Sequence, residues 1–106
     1  MLALVGARNL DPPEEEYVAR TGLRRAPSEA VADTAGVYVA VDSDALDAEE
    51  LHSFLPEPGG LSLDEASRLL ADLAGRTTVL GAGLTGLAPD DRNVEPVTQL
   101  CRALGL

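Results

Sequence analysis

Apolar and polar residues follow one another along the chain in blocks that predict strands and helices in turn. Apolar runs at residues 2–6 (LALVG), 37–41 (VYVAV) and 77–84 (TTVLGAGL) have the length and composition of buried strands. The 37–41 run has no polar position. We therefore expect this strand to be covered on both faces, as in a parallel sheet.

Helical patterns separate and follow these runs. Asp11 and two prolines, followed by three glutamates, predict a short helix that extends to Arg20. Ser62 and Glu65 have capping-box spacing ahead of an apolar stripe that we expect to end at Gly75. A final stripe consists of Val94, Val97, Leu100, Cys101 and Leu104, with Pro96 in its first turn and Gly105 at its end.

Strands that alternate with helices define the α/β fold class. Three short strands and about three helices bury only part of a doubly covered sheet, since each face needs helices and each edge strand needs a neighbour. We therefore expect residues 1–106 to be a portion of a larger single domain whose upstream half is absent from this chain.

Composition excludes several classes of function. A net charge of −10 argues against nucleic acid as a partner, because the phosphate backbone requires clustered basic residues. No apolar run approaches the length of a membrane span, so we expect no membrane partner. A single cysteine, Cys101, excludes an internal disulfide and fits a reducing, cytoplasmic location.

The acids that follow the 37–41 strand are the candidate site. Asp42 and Asp44 stand at its carboxyl end, where ligands gather in parallel α/β sheets. If the backbone stays extended there, both carboxylates point to one side and can share a hard cation such as Mn²⁺ or Mg²⁺. The alternative is a solvated loop in which Asp or Ser caps the next turn. An EF-hand calcium loop does not fit, because Ser53 occupies its twelfth position.

The joint pattern of this region resembles the ureohydrolase superfamily of arginases, agmatinases and formimidoylglutamases. VAVDSDALDAEE followed by PEPGGLSLDEASRLL is similar to the last metal-binding motif of that family, in which a buried strand runs into Asp-x-Asp-x-x-Asp-Pro and then Pro-Gly-Gly-Leu. LALVGARNLDPPEEEYV and VLGAGLTGLAP resemble the family's preceding and final strands, so the resemblance covers nearly the whole chain.

The resemblance implies the C-terminal part of a three-layer αβα sandwich with a mainly parallel sheet. It implies a pair of Mn²⁺ ions, bridged by a hydroxide that attacks a guanidino or amidino carbon. Asp42 would bridge both ions and Asp44 would bind one of them, whereas Asp47, Pro58, Gly59 and Gly60 would orient the loop. The expected partners are a small cationic guanidino or amidino substrate and further copies of the chain, in a full-length homo-oligomer.

Departures from the family pattern limit this interpretation. The Gly-Gly-Asp-His and Asp-Ala-His-x-Asp motifs that supply the other metal ligands do not occur in this sequence. Ala48 replaces the proline of the motif, and Gly86 stands where the family carries a glutamate that holds the guanidinium. His52, as a proton shuttle, and Glu57, as a partner for a cationic substrate, are catalytic candidates. The alternatives are a surface histidine and a solvated loop acid.

The sequence therefore predicts the C-terminal portion of a Mn²⁺-dependent amidinohydrolase that is inactive as this chain alone. The alternative is a non-catalytic remnant or interaction module that keeps the fold without binding metal.

Overall fold

The computed structural model describes residues 11–22 and 35–106, so the strand predicted at 2–6 lies outside the described residues. The helices are α1 (Pro12–Thr21), α2 (Leu63–Arg76) and α3 (Val94–Ala103), and the strands are β1 (Val37–Asp42) and β2 (Val79–Thr85). Short 3₁₀ turns at Ser43–Ala45 and Asp91–Asn93 follow β1 and precede α3. This alternation of strands and helices confirms the α/β class.

β1 and β2 pair in parallel, and α2 lies between them in the chain. The register places Val39 opposite Ala82 and Asp42 opposite Thr85, with an irregularity at the start of the pair. Parallel strands end at the same edge of a sheet, so the segments after Asp42 and after Thr85 emerge side by side.

One face of this sheet carries the core. α2 and α3 pack against each other, and the amide of Gln99 donates to the Ser67 hydroxyl across their contact (2.9 Å). Val39, Val41, Ala82 and Leu84 of the sheet pack against the buried cluster, which comprises Leu46, Leu51, Ala66, Leu70, Leu100 and Leu104. The apolar stripes predicted for the two helices therefore supply this core, except at Val94, which begins the α3 stripe but is 63% exposed.

The opposite face of the sheet is exposed at β1 in the part of the chain that the structure describes, so the cover expected on both faces of this strand is present on one face only. Burial alternates along the strand, and Tyr38 is 67% exposed. Leu80 on β2 is 73% exposed. Within the described ranges, α2 and α3 both pack on the Val39 side, which leaves apolar side chains of the other face in contact with solvent.

Tyr38 has a specific seat on this open face. A Cβ atom added to Gly81 would lie 3.2 Å from Cε2 of Tyr38, and one added to Gly83 would lie 2.8 Å from its hydroxyl oxygen. The tyrosine ring therefore lies across the two glycines of the neighbouring strand, in space that side chains there would occupy.

The helix ends follow local chemistry. Ser62 Oγ accepts from the Glu65 amide (3.0 Å) while the Ser62 amide donates to Glu65 Oε1 (3.3 Å), which confirms the predicted capping box of α2. The predicted stop at Gly75 is wrong, because α2 continues through Arg76 and ends at the extended residue Thr77. α3 accommodates Pro96 in its first turn, as predicted.

Candidate functional site

Asp42 and Asp44 lie where the sequence predicts them, at the carboxyl edge of the sheet. Asp42 is the last residue of β1, its side chain is exposed, and Thr85 is its neighbour on β2. Asp44 is half-buried in the 3₁₀ turn that follows. Both acids therefore lie at the edge of the sheet where the two parallel strands end.

The backbone between these acids does not stay extended as we expected. Asp42 is extended (φ −87°, ψ 125°), but Ser43–Ala45 form a 3₁₀ turn. Asp42 Oδ1 accepts a long hydrogen bond from the Asp44 amide (3.4 Å). A turn, and not strand alternation, thus brings the two residues together, and the capping role considered for these acids is present at Asp42.

Ser43, which lies between the two acids, is completely buried (0% exposed). Its Oγ accepts a hydrogen bond from the Ser53 hydroxyl (2.8 Å). The Phe54 amide donates to the Gly86 carbonyl (2.6 Å), and Ser53 forms an antiparallel bridge with Leu87. The loop after β1 is therefore joined to the segment after β2.

Gly86 completes this junction and has no room for a side chain. Its φ is +77°, a conformation that favours glycine. A Cβ atom there would lie 2.9 Å from Ser43 Oγ and 3.3 Å from Asp42 Oδ1. The backbone and the two neighbouring side chains therefore disfavour a glutamate at this position.

The Pro-Gly-Gly turn closes the other end of the loop. Gly60 has a φ of +105°, and a Cβ atom there would lie 2.9 Å from the Ala45 carbonyl oxygen. The Asp47 amide donates to the Leu61 carbonyl (2.7 Å), and Asp47 Oδ1 accepts from the Glu49 amide (2.9 Å). Pro58 and Gly59 are exposed on the same turn. The close approach at Gly60 thus holds the turn against the segment that carries the acids.

His52 lies in the same loop, directly before Ser53. Its backbone donates to Asn93 Oδ1 (2.8 Å), and its carbonyl accepts from Asn93 Nδ2 (2.9 Å). Asn93 Nδ2 also donates to the Ala88 carbonyl (3.2 Å), and the side chain is buried. Asn93 therefore fixes the His52 backbone, while Glu57 is half-buried farther along the loop.

Asp90 has a perturbed acidity. The Arg92 guanidinium donates to the Asp90 carboxylate, at 2.7 Å from one of its nitrogens to Oδ2, and the Arg92 amide donates to Oδ1 (2.9 Å). These bonds, with a smaller contribution from the nearby His52, lower the pKa of Asp90 from 3.8 to about 2. The Arg92 side chain and amide therefore hold Asp90 in its ionised form.

Asp42 and Asp44 offer oxygen donors of the kind that form part of a ligand set for a hard divalent cation. Their carboxylate oxygens are the ligands that Mn²⁺ and Mg²⁺ prefer. Within residues 11–22 and 35–106, however, no group of three His, Cys, Asp or Glu side chains is arranged to hold an ion. A complete centre needs further ligands in addition to this pair.

Sequence reasoning missed the residues that hold this region together. Three residues do so: Ser43, Ser53 and Asn93. The two serines are ten positions apart and Asn93 lies in a different turn, so no spacing motif links them. The only available signal was polarity at positions next to apolar runs, which is also typical of exposed loops.

The chain is similar to known proteins over almost its full length. The family model described as the arginase family matches residues 2–103. No curated protein sequence gives a significant match. None of the helices in the described ranges is long and apolar enough to cross a membrane.

Solved structures show the same fold. An arginase from Bacillus subtilis superposes with a TM-score of 0.84 at 21% identity, over 96% of this chain and 44% of that chain. An arginase from Bacillus cereus gives 0.80 at 24% identity, over 96% and 43%. Proclavaminate amidino hydrolase from Streptomyces clavuligerus gives 0.70 at 22% identity, over 94% and 39%. The chain thus spans less than half the length of these proteins. It belongs to the arginase family.

Proposed function

We propose that this chain is the C-terminal portion of a Mn²⁺-dependent amidinohydrolase that acts on a guanidino or amidino carbon–nitrogen bond. The family match over residues 2–103, with Asp42 and Asp44 at the carboxyl end of β1, is the observation that carries this proposal. In this function, Asp42 and Asp44 hold metal, while Asp47 and the Pro58–Gly60 turn orient the loop. With Mn²⁺ held there, these residues would have Lewis acidity and an activated water available at neutral pH.

The remainder of the domain must supply the other ligands and cover the open face of the sheet. Two observations support this arrangement. The solved arginases are more than twice as long as the stretch that this chain matches, since it covers 44% and 43% of two of them. Tyr38 and Leu80 also expose apolar surface where a doubly covered sheet would be packed.

The substrate is a small cation whose charge is not paired with a carboxylate at the position of Gly86, directly after β2. One solved relative, an Entamoeba histolytica arginase, is a complex with L-ornithine, and another relative is named a proclavaminate amidino hydrolase. Gly86 has no space for a side chain next to Asp42. We therefore favour a guanidino or amidino compound other than arginine or agmatine, and Glu57 is the candidate partner for its positive charge.

Mn²⁺ titration followed by amide NMR tests the metal-binding part of this proposal. We expect paramagnetic broadening to begin at Asp42–Asp44 and to disappear from that region in Asp42→Asn/Asp44→Asn. Asp64→Asn/Asp72→Asn is the matched control, because it removes the same charge from the exposed surface of α2. Broadening that spreads over all acidic residues, and that survives the loss of Asp42 and Asp44, would refute the site.

Urea release tests the catalytic part. The chain alone with Mn²⁺ should release no urea from arginine or agmatine, because two carboxylates do not complete a two-metal centre. A longer protein, in which the Gly-Gly-Asp-His and Asp-Ala-His-x-Asp motifs precede this chain, should hydrolyse an amidino substrate. It should lose that activity on Asp42→Asn. Urea release by the chain alone, abolished by Asp42→Ala, would contradict the assignment of this chain as an incomplete site.

A non-catalytic interaction module is the second candidate. The absence of a three-ligand cluster from the described residues and the exposed Tyr38–Leu80 face favour it. A module that binds no metal predicts no Mn²⁺ broadening that depends on Asp42 and Asp44, so the NMR titration separates the two functions.

A further inference from the structure

The two serines that join the acidic turn to the neighbouring loop form a buried hydroxyl pair. Ser43 is 0% exposed and Ser53 is 9% exposed. Their oxygen atoms lie 2.8 Å apart, with Ser53 as the donor. Burial of a hydroxyl is unfavourable unless a hydrogen bond compensates for the lost water. Two small apolar residues would fill a similar volume without that requirement.

Ser53 is held from the other side of the site. It forms an antiparallel bridge with Leu87, and the next amide, at Phe54, donates to the Gly86 carbonyl (2.6 Å). Ser43 Oγ lies 2.9 Å from the position that a Cβ atom on Gly86 would occupy. The hydroxyl pair therefore meets the end of β1, the end of β2 and the loop at one point.

The position of Ser43 gives this contact a consequence for its neighbours. Asp42 and Asp44 flank it directly, and the turn that separates them is the 3₁₀ turn that contains Ser43. A side chain anchored at Ser43 limits rotation of this turn, and so it limits the directions in which the two flanking Cα–Cβ bonds point. Groups that orient metal ligands in this indirect way usually act through hydrogen bonds.

We propose that Ser43 and Ser53 are positioning residues that hold Asp42 and Asp44 in the geometry that binds a divalent cation. This inference rests on the proposed function in one respect, namely that these two carboxylates bind Mn²⁺. Neither serine touches the ion. The Ser53 hydroxyl holds Ser43, and Ser43 holds the turn that carries the ligands.

The test measures Mn²⁺ affinity and folding stability separately for four variants. Ser43→Ala and Ser53→Ala break the pair, Ser53→Thr retains the hydroxyl, and Ser43→Ala/Ser53→Ala removes both partners. Ser67→Ala is the matched control, since it deletes a serine hydroxyl that makes a hydrogen bond elsewhere, between α2 and α3. Affinity comes from the concentration dependence of Mn²⁺ broadening at residues 42–44, and stability from urea unfolding in chelator.

We expect both single alanine variants to bind Mn²⁺ on the order of 10-fold more weakly, as is typical when a group that orients a ligand is lost. Ser53→Thr and Ser67→Ala should bind close to the wild-type value. The double variant is the decisive one. It should recover stability relative to the single variants, because no hydroxyl is left without a partner, but it should bind Mn²⁺ as weakly as they do.

Three results would overturn the proposal. Single alanine variants that bind Mn²⁺ like the wild type would show that the pair does not position the acids. Recovery of affinity together with stability in the double variant would assign the pair a structural role only. If the wild-type chain shows no binding at residues 42–44, the proposed metal site fails, and the positioning role fails with it.

Discussion

At the scale of single residues, a comparison of Gly86 with Gly105 separates backbone strain from steric crowding. Their φ angles are +77° and +78°, but a Cβ atom on Gly86 would meet Ser43 Oγ at 2.9 Å, whereas one on Gly105 would meet nothing within 4 Å. Gly105→Ala should cost about 1 kcal/mol from backbone strain alone. Gly86→Ala should cost about 1–3 kcal/mol more, from overpacking. Urea unfolding of both variants measures the difference in the free energy of unfolding. Equal losses of stability would show that the side chains around Ser43 rearrange at no cost.

The Asp90–Arg92 pair predicts a pH dependence. Because the folded state lowers the pKa of Asp90 from 3.8 to about 2, the ionised form stabilises the fold above pH 3.8, and this stabilisation disappears as the pH falls to about 2. Arg92→Gln should raise the pKa of Asp90 towards its ordinary value and reduce stability at neutral pH but not near pH 2. NMR titration of the Asp90 carboxyl carbon, with Arg102→Gln as the charge-matched control, checks the shift. An unchanged Asp90 pKa in Arg92→Gln would contradict it.

The sequence was informative about the acids themselves and much less so about what surrounds them. Asp42 and Asp44 follow an apolar strand, and that position alone places them at the carboxyl edge of a parallel sheet. The Ser43–Ser53 hydrogen bond and the hydrogen bonds of the Asn93 side chain to the His52 backbone link residues that are 10 and 41 positions apart. Such contacts depend on how the loops fold back on one another, and no local pattern encodes them.

At the scale of elements, α2 depends on its first turn. Ser62 accepts from the Glu65 amide, and Glu50 Oε2 accepts from the Leu63 amide (3.2 Å), so two of the free amides at the helix start are satisfied. Ser62→Ala should destabilise the chain by about 1 kcal/mol, while Ser62→Asp, which retains an acceptor, should lose little. Urea unfolding checks both variants. A loss of the same size in the two variants would mean that the cap is not what matters at this position.

Local signals predicted the starts of the helices and the end of α3 at Gly105, but they missed the end of α2 and the turn after β1. The capping box of α2 and Pro96 in α3 depend on contacts within one turn, and both are confirmed. The stop at Gly75 failed, since Arg76 extends the helix before the extended Thr77 ends it. The extended backbone expected between Asp42 and Asp44 also failed, because Ser43–Ala45 form a 3₁₀ turn that Asp42 caps and that Ser43 joins to Ser53, ten positions away.

At the scale of the whole molecule, the open face of the sheet predicts association. Tyr38 and Leu80 are 67% and 73% exposed on one apolar surface, and the two described strands have few neighbours. In sedimentation velocity, we expect the chain to form larger species as its concentration rises. Added salt should promote this, because it screens the repulsion produced by a net charge of −10.

Two lysine variants test which surface is responsible. Leu80→Lys should shift the population towards monomer, because it places a charge on the open face. Leu55→Lys should leave association unchanged, because Leu55 is similarly exposed (76%) but lies on the loop after β1. A wild-type chain that remains a monodisperse monomer and melts in one sharp transition would rule out association through this face.

The position of Tyr38 against two glycines also makes its fluorescence a probe of whether this face of the sheet is covered. The chain has two tyrosines and no tryptophan, so Tyr17→Phe would leave Tyr38 as the sole tyrosine and the dominant source of intrinsic fluorescence. The ring of Tyr38 rests against Gly81 and Gly83 on one side and meets solvent on the other. Any polypeptide that covers the sheet would displace water from that outer side, and quenching by dissolved iodide or acrylamide would fall in proportion. The emission of one phenol ring would thus report the binding of a polypeptide to this face of the sheet without any added label.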